Sequence, residues 1–106
     1  MMKEITVQEL KLKKDNNEDF QLIDVREEHE YDIVQIGGEL IPMGEIMDNV
    51  EKIAKDKPVI IHCRSGARSA SVIAALESMH HFTNLYNLKG GVLAYANEID
   101  TSLNKY

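Results

Sequence analysis

Pro58-Val59-Ile60-Ile61-His62-Cys63-Arg64-Ser65-Gly66-Ala67-Arg68-Ser69 reads as strand, loop and helix start in immediate succession. Val59 to His62 is a short apolar run rich in β-branched side chains, with a proline ahead of it and nothing polar before His62. Such a run suits a central parallel strand covered on both faces. The protein's one cysteine, Cys63, comes next. A loop with one glycine follows, and then a helix-forming run from Ala67 to Met79. In an open α/β sheet, ligands bind outside the carboxyl ends of the strands, which is where this order puts the cysteine.

A thiol acts as a nucleophile only when ionised, and the residues around Cys63 favour that. The loop is expected to wrap the sulfur with backbone N–H groups that the following helix leaves unpaired, at the positive end of its dipole. Arg64 and Arg68 add two permanent positive charges close by, and cysteines so placed ionise well below the free thiol. Gly66 relieves the steric cost of curling the backbone so that its N–H groups converge. Arg68 stands where loop meets helix, so its side chain is expected to fold back over the sulfur. Arg64 is expected to point outward and receive an anionic donor.

Cys63-Arg64-Ser65-Gly66-Ala67-Arg68-Ser69 resembles the active-site loop of the rhodanese family, sulfurtransferases that carry sulfur as a cysteine persulfide. Leu22-Ile23-Asp24-Val25-Arg26-Glu27-Glu28-His29-Glu30-Tyr31 resembles the family's strand-then-helix segment, and Leu88-Lys89-Gly90-Gly91-Val92-Leu93-Ala94-Tyr95 its closing segment. The matches stand in family order and the resemblance is strongest over residues 20–96 of one domain, 1–106. It implies a rhodanese-like α/β fold, a mainly parallel five-stranded sheet with helices on both faces. It also implies Cys63 as the catalytic residue and Arg64, Ser65, Gly66, Ala67 and Arg68 as the loop that binds substrate and persulfide. One departure stands out. Gln35 occupies the place of a family histidine in Val34-Gln35-Ile36-Gly37-Gly38-Glu39-Leu40-Ile41-Pro42, a stretch that is also one residue short. No role for such a histidine carries over.

Composition bounds the rest. A chain of 106 residues, 43% of them hydrophobic, makes one domain able to bury a core without staples. One cysteine excludes an intrachain disulfide and argues for a reducing compartment. The N-terminus lacks an apolar leader core, and no apolar run approaches the ~20 residues of a membrane helix, so a cytoplasmic protein is expected. A net charge of −6 argues against nucleic-acid or anionic-membrane binding. The loop arginines are then a local positive island, suited to a small anion.

Along the chain, Thr6 and Glu9 form a capping box for a helix running to about Lys14. Phe20 to Asp24 is a second strand. Asp24, Arg26 and Glu27 at its end read as a structural ion pair bracing the loops rather than an acid–base set. Glu27 to Tyr31 gives one or two helical turns with a solvated charged face. Glu39 to Ile41 is a short strand, and Ile46, Met47, Val50, Ile53 and Ala54 recur at helical spacing. Ala67, Ala70 and Ala74 let the helix after Cys63 lie close to the sheet. His80-His81 points to no metal site, because adjacent helical residues face apart. Asn84 to Asn87 is the last strand, Gly90-Gly91 opens the final helix, and Asp100 to Tyr106 is expected to be loosely held. Strand and helix alternate throughout, as a parallel α/β sheet requires.

Three functions fit these residues. In the first, Cys63 takes sulfane sulfur from a donor such as thiosulfate, or from a protein persulfide, and passes it to a nucleophilic acceptor; no metal or organic cofactor is required. In the second, His62-Cys63 and the following arginine resemble the phosphatase signature, which with arsenate reductase chemistry uses a longer loop than the four residues between Cys63 and Arg68. The third is a non-enzymatic binding module, for which an intact cationic cysteine loop is unnecessary. Leu93 to Asp100 is also similar to rhodanese domains fused to E1-like enzymes, which makes a sulfur-carrier or other acceptor protein a candidate partner.

Overall fold

The structure, a computed structural model, describes residues 2–106. The described elements are β1 (Glu4–Ile5), α1 (Val7–Asp15), β2 (Gln21–Asp24), α2 (Glu28–Ile33), β3 (Glu39–Leu40), a 3-10 helix (Ile46–Lys52), β4 (Val59–His62), α3 (Ala67–His80), β5 (Leu85–Leu88) and α4 (Gly91–Glu98). They build a five-stranded sheet in the order β1-β5-β4-β2-β3. Every pairing in it is parallel. The strand before Cys63 is the middle one. Val59, Ile60 and Ile61 are each 0% exposed, as a strand covered on both faces demands.

Strand alternation splits those side chains between two apolar layers. Val59, Ile61 and Cys63 join Val72, Ile73 and Leu76 of α3 and Ile46 and Ile53 around the 3-10 helix. Ile60 joins Val7 and Leu10 of α1 and Val92 and Tyr95 of α4 on the other face. Burying each such side chain contributes about 1.5–3 kcal/mol, so both faces of the sheet are driven shut. Helices on both faces of a parallel sheet agree with the expected architecture. The capping box of α1 is also present: Glu9 N–H donates to Thr6 Oγ1 at 3.1 Å, and Thr6 N–H to Glu9 Oε1 at 2.9 Å.

Two local expectations are corrected. The stripe from Ile46 to Ala54 does bury Ile46 and Ile53, but its helix is 3-10 and broken at Asn49 (φ −128°, ψ 29°). Asn49 Nδ2 donates to the Glu45 carbonyl at 2.8 Å, taking an acceptor that a regular helix would offer to backbone N–H. The C-terminal segment is tied down rather than loose, because the Tyr106 hydroxyl is bonded to Arg26 and Glu30 in the middle of the molecule. Among the described residues no helix is long and apolar enough to cross a membrane.

The Gly90-Gly91 turn fastens α4 to the back of the cysteine loop. Val92 N–H donates to the Cys63 carbonyl and Leu93 N–H to the Arg64 carbonyl, each at 3.0 Å. Gly91 has φ 59°, and a Cβ there would lie 2.5 Å from the Arg64 carbonyl oxygen and 2.6 Å from that of Cys63. Both partners are backbone, so nothing can swing aside. Gly91→Ala is therefore expected to cost about 1–3 kcal/mol or more of stability, read as a lower urea midpoint. An unchanged midpoint would mean that this contact is not needed.

Candidate active site

Between His62, the last residue of β4, and Ala67, the first of α3, the chain reverses within the loop of Cys63 to Gly66. Gly66 caps α3 with φ 109°, a conformation that L side chains avoid. Its N–H is thereby aimed at Cys63 Sγ, 3.1 Å away. The backbone N–H groups of Ser65 and Ser69 also favour the ionised sulfur, and Ser69 Oγ lies 3.4 Å from it. Cys63 is 1% exposed. Burial pushes its thiol up, but hydrogen bonds from Ser69, Gly66 and Ser65 outweigh that and hold its pKa below the ordinary value.

The loop arginines are placed differently from expectation. Arg68 does not fold over the sulfur. Its Nη1 and Nη2 fork onto Glu30 Oε1 and Oε2 at 2.7 and 2.8 Å. A bidentate arginine–carboxylate pair is stronger than any contact the guanidinium could make to one sulfur. Arg68 still acts on Cys63 through its charge, without touching it. Arg64 turns toward the C-terminal segment, where Nη2 donates to the Tyr106 carbonyl and the guanidinium lies 5.0 Å from the Tyr106 ring centre.

Glu30 also departs from the solvated face expected of α2. It is 7% exposed. The Arg68 fork holds its carboxyl at about 2, against burial and with help from the Tyr106 hydroxyl and the Glu27 N–H. The Tyr106 hydroxyl donates to Glu30 Oε2 at 2.7 Å and accepts from Arg26 Nη1 at 2.9 Å. Glu30 therefore links the loop arginine, the tail and Arg26.

Asp24 and Arg26 form a buried ion pair. Both are 0% exposed, with Arg26 Nε 2.9 Å from Asp24 Oδ1 and Nη2 2.6 Å from Oδ2. Arg26 Nη2 also donates to the Val34 carbonyl at 2.7 Å. Glu27 takes no part in this pair; its N–H donates to Glu30 Oε1. His62 is buried beside them, and burial pushes its ring pKa down. Its Nδ1 faces the Cys63 carbonyl at 3.3 Å, and its Nε2 lies 3.8 Å from Asp24 Oδ2. Gln35 stays outside, its Oε1 accepting from the Gly37 N–H at 2.6 Å. No group of three or more His, Cys, Asp or Glu among the described residues is placed to hold a metal ion.

The structure thus gathers Ser65, Gly66 and Ser69 at the Cys63 sulfur, and joins Arg64, Arg68 and the Asp24-paired Arg26 to one another through Tyr106 and Glu30. Ala67 contributes the first residue of α3. Glu30, Asn87 and Tyr106 join from distant positions that loop spacing could not reveal. Ser69 lies within the motif, but spacing alone assigns its hydroxyl no role.

A nearly buried cysteine at the carboxyl end of a central parallel strand, ringed by N–H groups at a helix start, defines a class of α/β domain fitted for thiolate and anion chemistry. This chain belongs to the rhodanese-like domain family, which it matches over residues 6–98. It is 38% identical over 98 residues to the putative sulfurtransferase YtwF of Bacillus subtilis, covering 92% of this chain and 93% of that protein. It is 34% identical over 105 residues to the probable adenylyltransferase/sulfurtransferase MoeZ of Mycobacterium tuberculosis, covering 96% of this chain; it spans 26% of that relative's length. A solved rhodanese-like domain protein from Staphylococcus aureus superposes with a TM-score of 0.83 at 35% identity, covering 99% of each chain.

The Glu30 pair sets a pH dependence. A carboxyl depressed from 4.5 to about 2 stabilises the fold above its unfolded pKa, and that stability is lost as pH falls through its folded one. The wild type is expected to lose stability between pH 4.5 and 2 more steeply than Glu30→Gln, which lacks the carboxylate. Urea midpoints across that range check it. Parallel curves would remove Glu30 from the acid response.

Proposed function

We propose that the protein is a sulfurtransferase whose nucleophile is Cys63. The thiolate attacks the outer sulfur of an anionic donor such as thiosulfate. The new Sγ–S bond forms as the donor's S–S bond breaks, leaving a Cys63 persulfide anion and sulfite. A nucleophilic acceptor then takes the terminal sulfur and returns the thiolate. Charge is conserved in both steps, and no oxidant is needed.

The observation that carries this reading is the Gly66 N–H aimed at Cys63 Sγ from 3.1 Å, with the Ser65 and Ser69 N–H groups also lowering the thiol's pKa. Such donors stabilise an anion where it forms and need no rearrangement when it does. The loop of four residues between Cys63 and Arg68 makes a small ring, suited to a sulfur atom rather than a tetrahedral phosphate. Arg64, at the rim and only partly buried, is placed to meet the anionic donor once it leaves the Tyr106 carbonyl. A protein persulfide would serve as donor by the same chemistry, and a sulfur-carrier protein fits as acceptor, in a reducing cytoplasm. The sulfurtransferase names of YtwF and MoeZ support the reading.

Intact mass after thiosulfate treatment tests it. The wild type is expected to gain one sulfur atom that a reductant removes, and Cys63→Ser to gain none. Hydrolysis of p-nitrophenyl phosphate without persulfide formation would replace this reading with a phosphatase. Gly66→Ala probes the cradle. A Cβ there meets nothing closer than 3.7 Å, so the strain falls on φ alone. Moving its N–H off the sulfur is expected to slow persulfide formation by about 10²–10³-fold, the effect of losing one oxyanion-hole donor. Stopped-flow sulfite release measures it, and an unchanged rate would deny the cradle its role.

A further inference from the structure

Asn87 lies on β5, next to the strand that leads into Cys63, and is 4% exposed. Its side chain reaches across to the cysteine loop at two points. Asn87 Nδ2 donates to the Gly66 carbonyl at 3.1 Å, and Asn87 Oδ1 accepts from Ser69 Oγ at 2.6 Å. The orientation of the amide is dictated by chemistry. The Gly66 carbonyl can only accept, so the NH2 end must face it and the carbonyl end must face Ser69. A carbonyl can only accept in turn, so Ser69 must donate to it. A hydroxyl has a single hydrogen, and here Asn87 takes it.

We propose that Asn87 is a positioning residue that competes with Cys63 for the Ser69 hydroxyl proton and so sets how much that hydroxyl contributes to the thiolate. This rests on Cys63 being the nucleophile. With the thiol protonated, S–H donates to Ser69 Oγ across 3.4 Å and Ser69 donates to Asn87, so every group is satisfied. On ionisation the chain fails. Either Ser69 keeps its bond to Asn87 and turns a lone pair toward the thiolate, or it turns its proton to sulfur and strands a buried amide oxygen. Once a sulfur atom is attached, Sγ is neutral and bonded on both sides. Ser69 then returns to Asn87 at no cost. The Asn87 acceptor is compatible with thiol and persulfide and opposes the free thiolate between them, which favours the sulfur-loaded protein.

A double-mutant cycle on the full chain tests this: wild type, Asn87→Leu, Ser69→Ala and the double variant. The readout is the pH midpoint of iodoacetamide alkylation of Cys63, which needs no sulfur donor. Arg68, which acts on the sulfur by charge, its Glu30 partner, and the neighbouring Arg64 and His62 are common to all four proteins and cancel in the cycle. Leucine removes both amide contacts. The loss of the Gly66 tether appears in either background; the loss of the competing acceptor appears only where Ser69 is present. The expected result is that Asn87→Leu moves the midpoint lower when Ser69 is present than in the Ser69→Ala background, by about 0.4–2 pH units, the range of coupling between residues in one hydrogen-bond network. Equal shifts in both backgrounds, or coupling of the opposite sign, would overturn the proposal and leave Asn87 a purely structural tether. Should Asn87→Leu fail to fold by circular dichroism, Asn87→Asp gives the reverse reading. Its carboxylate holds the Ser69 proton harder, so the coupling must change sign. A wild-type midpoint at or above that of a free thiol would instead refute Cys63 as an activated nucleophile, an outcome separate from the coupling.

Discussion

The chain must pass from the buried middle strand β4 into α3 within the residues Cys63 to Gly66. A turn that short cannot pair its own backbone N–H groups. They need an acceptor, and the Cys63 sulfur lies on the inner side of the curve to meet that of Gly66. The same backbone that closes the βαβ unit therefore supplies the donors that make the thiol acidic. The outer side of the turn has the converse need, since the carbonyls of Cys63 and Arg64 point away from the sulfur. The start of α4 meets them with the N–H groups of Val92 and Leu93. Two helix N-termini serve one loop, one facing the sulfur and one facing the carbonyls.

Charge around this loop is arranged so that little of it is free. Arg68 is committed to Glu30, Arg26 to Asp24, and Arg64 to the Tyr106 carbonyl. The fully buried Asp24–Arg26 pair would leave a strongly unfavourable lone charge if either partner were lost, by about 3–5 kcal/mol. Through Arg26 the pair also contacts the Val34 carbonyl and the Tyr106 hydroxyl. The thiolate is then stabilised mainly by short-range N–H donors, and the arginines act as a background field. Such an arrangement allows a strongly cationic motif to sit inside a buried site in an acidic protein.

The sequence by itself carried the parts that depend on local order. A β-branched run, then cysteine, glycine and a helix-forming stretch specify a strand, a tight turn and a helix wherever they occur, so β4, the loop and α3 were legible. The capping box at Thr6 and Glu9, the alternation of strand and helix, and the pairing of Asp24 with Arg26 were legible for the same reason: each involves residues within a few positions of one another. The helical stripe from Ile46 was right about burial and wrong about geometry, because spacing reports which side chains face the core and not whether Asn49 will take a backbone acceptor.

Tertiary structure decided the partners of the loop. Glu30 lies 38 positions from Arg68, Asn87 lies 18 from Ser69, and Tyr106 lies 42 from Arg64. No period or motif connects such pairs. The parallel order β5-β4-β2 brings the ends of three strands side by side, so groups from separate βα units converge at one edge of the sheet. A charged residue on a short helix looks solvated in sequence because its own neighbours are polar. Glu30 is buried because α2 is laid against Arg68 and Tyr106. The direction of each arginine was settled by the best available acceptor in space, and for Arg68 a bidentate carboxylate outcompetes a sulfur that backbone N–H groups already surround.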